Sequence, residues 1–147
     1  MKIVLSALLA AAFATVPVLA DELPNAFMDR LFATYKNREH WAKGYRPCND
    51  FCEPEFAKLI KKLDYDPVCQ CRSGGGDYAI LIGKYHPDGS FEYTLRDRTK
   101  PLHNRQWIVI LKPKGNGWQI YDVWERRLDD KNSVRERIKA GGTGILL

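Results

Sequence analysis

The chain has 147 residues and a formal net charge of +5. This length suits a single domain with one buried core. The basic residues alternate with acidic ones, as in Asp29-Arg30 and Arg96-Asp97-Arg98, and form no continuous basic stripe. We therefore expect no nucleic-acid partner.

The first twenty residues have the three-part pattern of a secretory signal peptide. Lys2 gives the positive start, an apolar segment follows, and Val18-Leu19-Ala20 places small residues before a cleavage site. A membrane anchor is the alternative, but the apolar run is short, Pro17 interrupts it, and no stop-transfer pattern follows. We therefore predict cleavage after Ala20, a periplasmic or secreted location, and a mature domain of residues 21–147 without a membrane span.

Two amphipathic helices are predicted in the first half of the mature domain. The first has Asn25 as its N-cap and runs to about His40 or Trp41. Its apolar face consists of Phe27, Met28, Leu31, Phe32 and Tyr35. The second helix has Pro54 in its first turn. Its apolar face consists of Phe56, Leu59, Ile60 and Leu63.

All four cysteines fall within this half of the domain, at Cys48, Cys52, Cys69 and Cys71. An even number of cysteines in an exported protein predicts two disulfides. A metal site is the alternative, but the C-x3-C and C-x-C spacings match no common zinc motif. Because two cysteines at i and i+2 of a strand are badly placed to bond each other, we predict bridges between the two pairs. Cys52–Cys69 with Cys48–Cys71 fits better than the crossed pairing.

Residues 78–124 are predicted to form four consecutive antiparallel strands. Pro87-Asp88-Gly89 and Gly115-Asn116-Gly117 predict hairpin turns. The predicted strand at residues 106–111 is continuously apolar from Trp107 to Leu111, which predicts a central position in the sheet. In the last strand, alternation places Trp118, Ile120 and Asp122 on one face.

The elements at either end of these strands complete an α+β fold. Gly74-Gly75-Gly76 could cradle a phosphate only if a helix followed; a strand follows, so we interpret it as a connector. Ser133 and Glu136 form a capping box that predicts a short C-terminal helix. The expected fold is two N-terminal helices packed on a curved antiparallel sheet of four to five strands, followed by that short helix.

Few side chains are candidates for chemistry. A basic loop carries Arg96, Arg98, His103 and Arg105. Its guanidinium groups suit carboxylates or an acidic partner, and the alternative is a solvated loop. Asp122 is either a structural carboxylate or, if burial raises its pKa, a general base. If the register of the last strand shifts by one residue, Tyr121 replaces Asp122 on the sheet face where a ligand would bind. We expect no cofactor, no metal and no catalytic set.

The order of elements resembles the nuclear transport factor 2-like, or cystatin-like cone, superfamily, and within it exported bacterial domains of unknown function. The matching features are Phe32 and Tyr35, the Asp66-Pro67 step, and a final W-x-I-x-D-V strand at residues 118–123. The resemblance covers residues 27–123, and the four cysteines and the C-terminal helix depart from it. Enzymes of the superfamily often use an Asp–His pair in the cone, and no histidine here matches that position.

The leading functional prediction is an exported, non-catalytic binding domain. It would bind a small ligand on the concave sheet face or a protein partner at the basic loop. One alternative is an immunity or inhibitor protein against an envelope-targeting toxin, which an adjacent toxin gene would favour. The other is a small hydrolase or isomerase with Asp122 in a concave pocket, which a closed sheet face would exclude.

Overall fold

The computed structural model describes residues 21–74, 76–99, 105–127 and 130–142. The helices are α1 (Pro24–Lys36), α2 (Arg38–Ala42), α3 (Cys48–Phe51), α4 (Pro54–Ile60) and α5 (Val134–Lys139). The strands are β1 (Tyr78–Tyr85), β2 (Phe91–Asp97), β3 (Gln106–Lys114), β4 (Gly117–Arg127) and β5 (Asp130–Ser133). The predicted signal peptide and His103 lie outside the described residues. Within these ranges, no helix has the length and apolar character needed to cross a membrane.

The five strands form an antiparallel sheet in the order β1-β2-β3-β4-β5, which confirms the predicted α+β class. The strand predicted at residues 106–111 lies in β3, at the centre of the sheet, as expected. Alternate side chains of β2 are buried as expected for a strand with one wet face. The buried ones are Phe91, Tyr93 and Leu95. They belong to one hydrophobic core with the apolar faces of α1 and α4.

The first predicted helix is interrupted. Asn37 has φ of −81° and ψ of 90°, which ends α1, and its side chain accepts a hydrogen bond from the backbone N of His40 to start α2. Leu23, rather than Asn25, is the N-cap of α1, because Pro24 occupies the first turn and has no N–H to satisfy. The Asn25 side chain instead accepts a hydrogen bond from the Tyr93 hydroxyl.

The disulfides join near neighbours, so the predicted bridges between the two pairs are wrong. Cys48 and Cys52 lie one helical turn apart at the two ends of α3, with 4.8 Å between their Cα atoms. Cys69 and Cys71 lie in a turn rather than in an extended segment. Gln70 between them has φ of 52° and brings their Cα atoms to 5.2 Å. Such short loops restrict the unfolded chain less than the predicted long-range bridges would.

Hydrogen bonds, rather than disulfides, connect the helical half to the sheet. The backbone N of Glu53, at the start of α4, donates to the Ile120 carbonyl over 2.8 Å. The Trp107 indole N–H donates to the Val68 carbonyl, also over 2.8 Å. Both bonds are made in or beside the core, where a lost partner would leave a buried polar group unsatisfied.

A β-bulge in β4 changes the predicted face assignment. Ile110 pairs with Asp122 and Leu111 pairs with Ile120, so Tyr121 is an extra residue without a partner in β3. Beyond the bulge the alternation is shifted by one, and Val123 points into the core. The predicted common face of Trp118, Ile120 and Asp122 is therefore wrong, since Asp122 lies on the opposite face.

A second bulge lies in β1. Ile80 pairs with Leu95 and Ile82 with Thr94, which leaves Leu81 as the extra residue. As a result Ile82 does not share a face with Tyr78 and Ile80, as simple alternation would require.

We expect peptide mapping without reduction to recover each disulfide inside a single peptide. Trypsin cleaves after Lys58, Lys61 and Lys62, between the two cysteine pairs, and neither short loop contains a cleavage site. Mass spectrometry should therefore find two separate, internally bridged peptides. A cross-linked product that joins the peptide containing Cys52 to the one containing Cys69 would contradict the observed pairing.

Candidate functional site

A cleft of about 580 Å³ lies on the outer face of the sheet, which we define as the face opposite the core formed with α1 and α4. One wall is the β1–β2 turn, residues 86–90, and the other is the start of α5. The floor consists of Ile110, Lys112, Tyr121 and Trp124. We call this the outer cleft. It contains two of the predicted site residues, Tyr121 and Asp122.

The bulge residue Tyr121 lies between two cations. The Lys112 Nζ atom is 3.5 Å from the centre of the Tyr121 ring, and the Arg135 guanidinium carbon is 4.0 Å from it. The negative face of an aromatic ring attracts a cation at these distances. No salt bridge between described residues involves Lys112, so its ammonium group keeps hydrogen-bonding capacity for a ligand.

Arg135, by contrast, is buried and fully engaged. Its Nε and Nη2 atoms donate to the Tyr121 carbonyl over 3.0 and 2.7 Å. Its Nη1 atom donates to Glu55 over 3.1 Å, and Nη2 also bonds Glu53. Arg135 therefore ties α5 to β4 and to the start of α4. Removing either carboxylate partner would leave part of its charge buried and unpaired.

Asp122 is a structural carboxylate in this arrangement. Its Oδ1 atom accepts hydrogen bonds from the backbone N of Val123 over 2.8 Å and of Arg135 over 3.0 Å. Its Oδ2 atom accepts from the Trp124 indole N–H over 3.0 Å and from the Ser133 hydroxyl. Four donors occupy the lone pairs that a general base would use. The sequence-based alternative of a hydrogen-bonded structural Asp is therefore the one that this geometry favours.

The turn wall of the outer cleft is held by short-range polar contacts. His86 Nε2 lies 2.9 Å from a Glu92 carboxylate oxygen. Asp88 accepts hydrogen bonds from the Ser90 backbone N and hydroxyl, which lower the pKa of the Asp88 carboxyl. These bonds fix the tip of the hairpin, so the wall is in place before a ligand arrives.

The basic loop lies at the other end of the sheet. Arg96 pairs with Gln106 in β3, four residues from Ile110 on the cleft floor, which corresponds to about 13 Å along the strand. Arg96, Arg98 and Arg105 are exposed, and Arg98 lies 4.0 Å from the Asp77 carboxylate. The structure therefore does not bring the loop arginines together with Tyr121 and Asp122. Their role in binding stays a prediction.

Sequence reasoning missed the cleft residues Lys112 and Arg135. Regular hairpin pairing already places Lys112 opposite Gln119, as observed. It pairs Ile110 with Tyr121 instead of Asp122, however, so the cleft floor beside Lys112 is not predicted. Arg135 is one of many charged residues in the C-terminal part of the sequence, and nothing local distinguishes it. The available signal was the capping box. It makes Ser133 the N-cap of a helix, and Arg135 is then the second residue of that helix.

Two further carboxylates are buried on the core side of the sheet, away from the outer cleft. Glu125 accepts hydrogen bonds from Gln70 over 2.9 Å and from Arg137 over 2.6 Å, and also from the Tyr65 hydroxyl. Burial, followed by the Glu125 hydrogen bond, raises the pKa of the Tyr65 phenol. This network closes one end of the core.

The other buried carboxylate belongs to Asp66, which accepts a hydrogen bond from the Tyr35 hydroxyl over 2.8 Å. Burial raises the pKa of the Asp66 carboxyl, and the bonds from Tyr35 and from the Val68 backbone N oppose that shift. Asp66 thus connects α1 to the turn that carries the second disulfide. In the described part of the chain, no cluster of three or more His, Cys, Asp or Glu side chains could hold a metal ion.

We expect Asp122→Ala to lower the free energy of unfolding by about 3 kcal/mol, because it leaves several buried donors without an acceptor. Asp88→Ala is the matched control, since Asp88 also accepts two local hydrogen bonds but is exposed, and it should cost far less. Urea denaturation followed by tryptophan fluorescence measures both. Equal losses for the two variants would contradict the structural role of Asp122.

Comparisons of the chain with protein-family models, with characterised proteins and with solved structures found no significant match in any of the three. The resemblance to the nuclear transport factor 2-like superfamily therefore stays a prediction.

Proposed function

We propose that the chain is an exported, non-catalytic binding domain and that the outer cleft is its ligand site. The observation that supports this most directly is the state of the charged groups around Tyr121. Asp122 and Arg135 are bound to neighbouring protein groups, whereas Lys112 forms no salt bridge among the described residues and acts on the Asp88 carboxylate only through its charge. The cleft thus places the Lys112 ammonium group above an aromatic ring, where a ligand can reach it.

The chemistry of the lining suits a small organic monoanion with an apolar or aromatic body. Lys112 would bind the anionic group, and Tyr121 together with Ile110 would contact the apolar body. Two exposed carboxylates, Asp88 and Glu136, stand at the rim of the cleft. Their negative charge disfavours ligands with several negative charges, such as polyphosphates.

The hydrogen bonding of Asp122 supports a binding role over catalysis. A general base needs a lone pair directed at the proton that it removes. Both Asp122 oxygens already accept two protein hydrogen bonds each. This is the residue that the hydrolase or isomerase alternative requires as its base.

Export is supported by the two disulfides and by the signal-peptide pattern. Both cysteine pairs are bonded, and disulfides persist in oxidising compartments such as the periplasm. The pattern at residues 1–20 provides the route to such a compartment.

We expect the fluorescent organic anion 8-anilinonaphthalene-1-sulfonate to bind in the outer cleft. Lys112→Ala should weaken its binding by about five- to thirtyfold. The variant loses the ion pair between the ammonium group and the sulfonate, and with it the cation that the Tyr121 ring holds in place. Lys114→Ala is the matched control, since Lys114 ends the same strand, is exposed and does not line the cleft. Fluorescence titration measures both affinities. Equal affinities for the two variants would exclude the cleft as the anion site.

We expect the full chain, expressed in a Gram-negative bacterium, to appear in the envelope fraction with Asp21 as its first residue. Ala20→Phe should block processing, because the signal peptidase requires a small residue before the cut. Asp21→Asn, on the other side of the cut, should be processed normally. N-terminal sequencing measures the result, and an unprocessed chain in the cytosol would contradict export.

A further inference from the structure

Strand β1 leaves an unusual amount of apolar surface exposed at the edge of the sheet. It is the first strand in the sheet order and pairs with β2 alone among the described strands. Large exposed hydrophobic side chains of the described residues are Ile80 (36% exposed), Leu81 (38%), Ile82 (64%), Tyr85 (56%) and Leu23 (69%). Four of these five lie in β1. An apolar edge strand with free backbone groups is a template for another strand.

The backbone of β1 is oriented for such pairing. The backbone N of Arg98 donates to the Asp77 carbonyl over 2.7 Å, so the peptide groups of Asp77 point toward β2. Alternation in an antiparallel ladder then directs the N–H and C=O of Tyr78 and Ile80 away from β2. Tyr78 and Ala79 are buried, so the part of the edge that is open to a further strand begins at Ile80 and runs to Tyr85.

We propose that β1 pairs antiparallel with β1 of a second copy of the chain, with Asp77 of each copy opposite Lys84 of the other. A two-fold interface requires a self-complementary strand. Asp77, just before the strand, and Lys84, near its end, carry opposite charges at symmetric positions around the apolar centre. Their pairing across the axis produces two equivalent ion pairs.

The bulge at Leu81 makes this register self-consistent. Before the bulge Ala79 pairs with Arg96, and after it Lys84 pairs with Glu92, and both pairs lie on the outer face. Asp77, two residues before Ala79, is on that face too. The register therefore joins Asp77 to Lys84 and Ala79 to Ile82 on a common face. A one-residue shift would place their side chains on opposite faces.

The existing partners of Asp77 leave room for this contact. Its side chain is 47% exposed, and its ion pairs are with exposed cations, Lys36 at 3.5 Å and Arg98 at 4.0 Å. A carboxylate accepts several hydrogen bonds at once. Because one pair of eight-residue strands buries a small area, the dimer belongs to the weak class, with a dissociation constant on the order of micromolar.

Sedimentation velocity over a concentration series tests the dimer. The wild-type chain should pass from monomer to dimer, and Ile82→Asp should weaken association at least about tenfold, because it places charge against the partner's strand. Leu23→Asp is the matched control, since it removes another exposed apolar side chain outside β1 at a position where Asp suits a helix N-cap. It should associate like wild type. A monomer at every concentration, or equal effects of the two variants, would overturn the proposal.

Disulfide trapping tests the register. Asp77→Cys mixed with Lys84→Cys should form a disulfide-linked heterodimer under mild oxidation, because these two solvent-accessible positions lie opposite each other in the proposed register. Neither variant alone should cross-link, since like positions are offset by seven residues, about 23 Å, which is beyond disulfide reach. Cross-linking of either variant with itself, or none in the mixture, would overturn the proposed pairing. Unchanged thermal melts of the variants show that each is folded.

Discussion

The extra residue in β4 is the constraint on which the cleft depends. A strand presents alternate side chains to opposite faces, so one inserted residue exchanges the faces of everything that follows. The bulge at Tyr121 allows Ile120 and Val123 both to enter the core while Asp122 stays outside it. Without the bulge, continued alternation from Ile120 would turn the Asp122 carboxylate into the core, where burial without partners costs several kcal/mol.

Asp122 then organises the end of the fold. It accepts hydrogen bonds from Ser133 and from the backbone of Arg135, the cap and the second residue of α5. Ser133 in turn accepts a hydrogen bond from the Glu136 backbone N, which completes the cap. With α5 held in this way, Arg135 reaches the carboxylates at the start of α4. A short helix that would be marginal alone is thereby fixed as a cleft wall.

The parts of the fold that were predicted are those encoded by local periodicity. A continuous apolar run identified β3 as central, and the capping box located α5. The errors share a different cause. The disulfide pairing depended on one residue, Gln70, that adopts φ of 52°, and the face of Asp122 depended on one bulge residue. Tertiary contacts select both conformations, and single-residue departures from a regular period leave no pattern in the sequence.

The bulges at Tyr121 and Leu81 have opposite consequences, because other parts of the chain pack against Tyr121 whereas the strand around Leu81 is exposed. Around Tyr121 the chain supplies Lys112 on one side and Arg135 on the other, and the start of α5 forms a wall beside it. At Leu81 the bulge increases exposure, since it turns Ile82 to the outer face on a strand that has no second neighbour among the described residues.

The edge of β1 and the outer cleft are also joined covalently. Tyr85 ends β1, and the next residue, His86, begins the turn that forms a wall of the cleft. The hydrogen bonds of Asp88 and the contact between His86 and Glu92 already fix that turn. A strand that covers β1 therefore has little conformational entropy left to remove from the turn. Pairing at the edge and binding in the cleft should then be energetically independent, because neither event orders residues that the other needs.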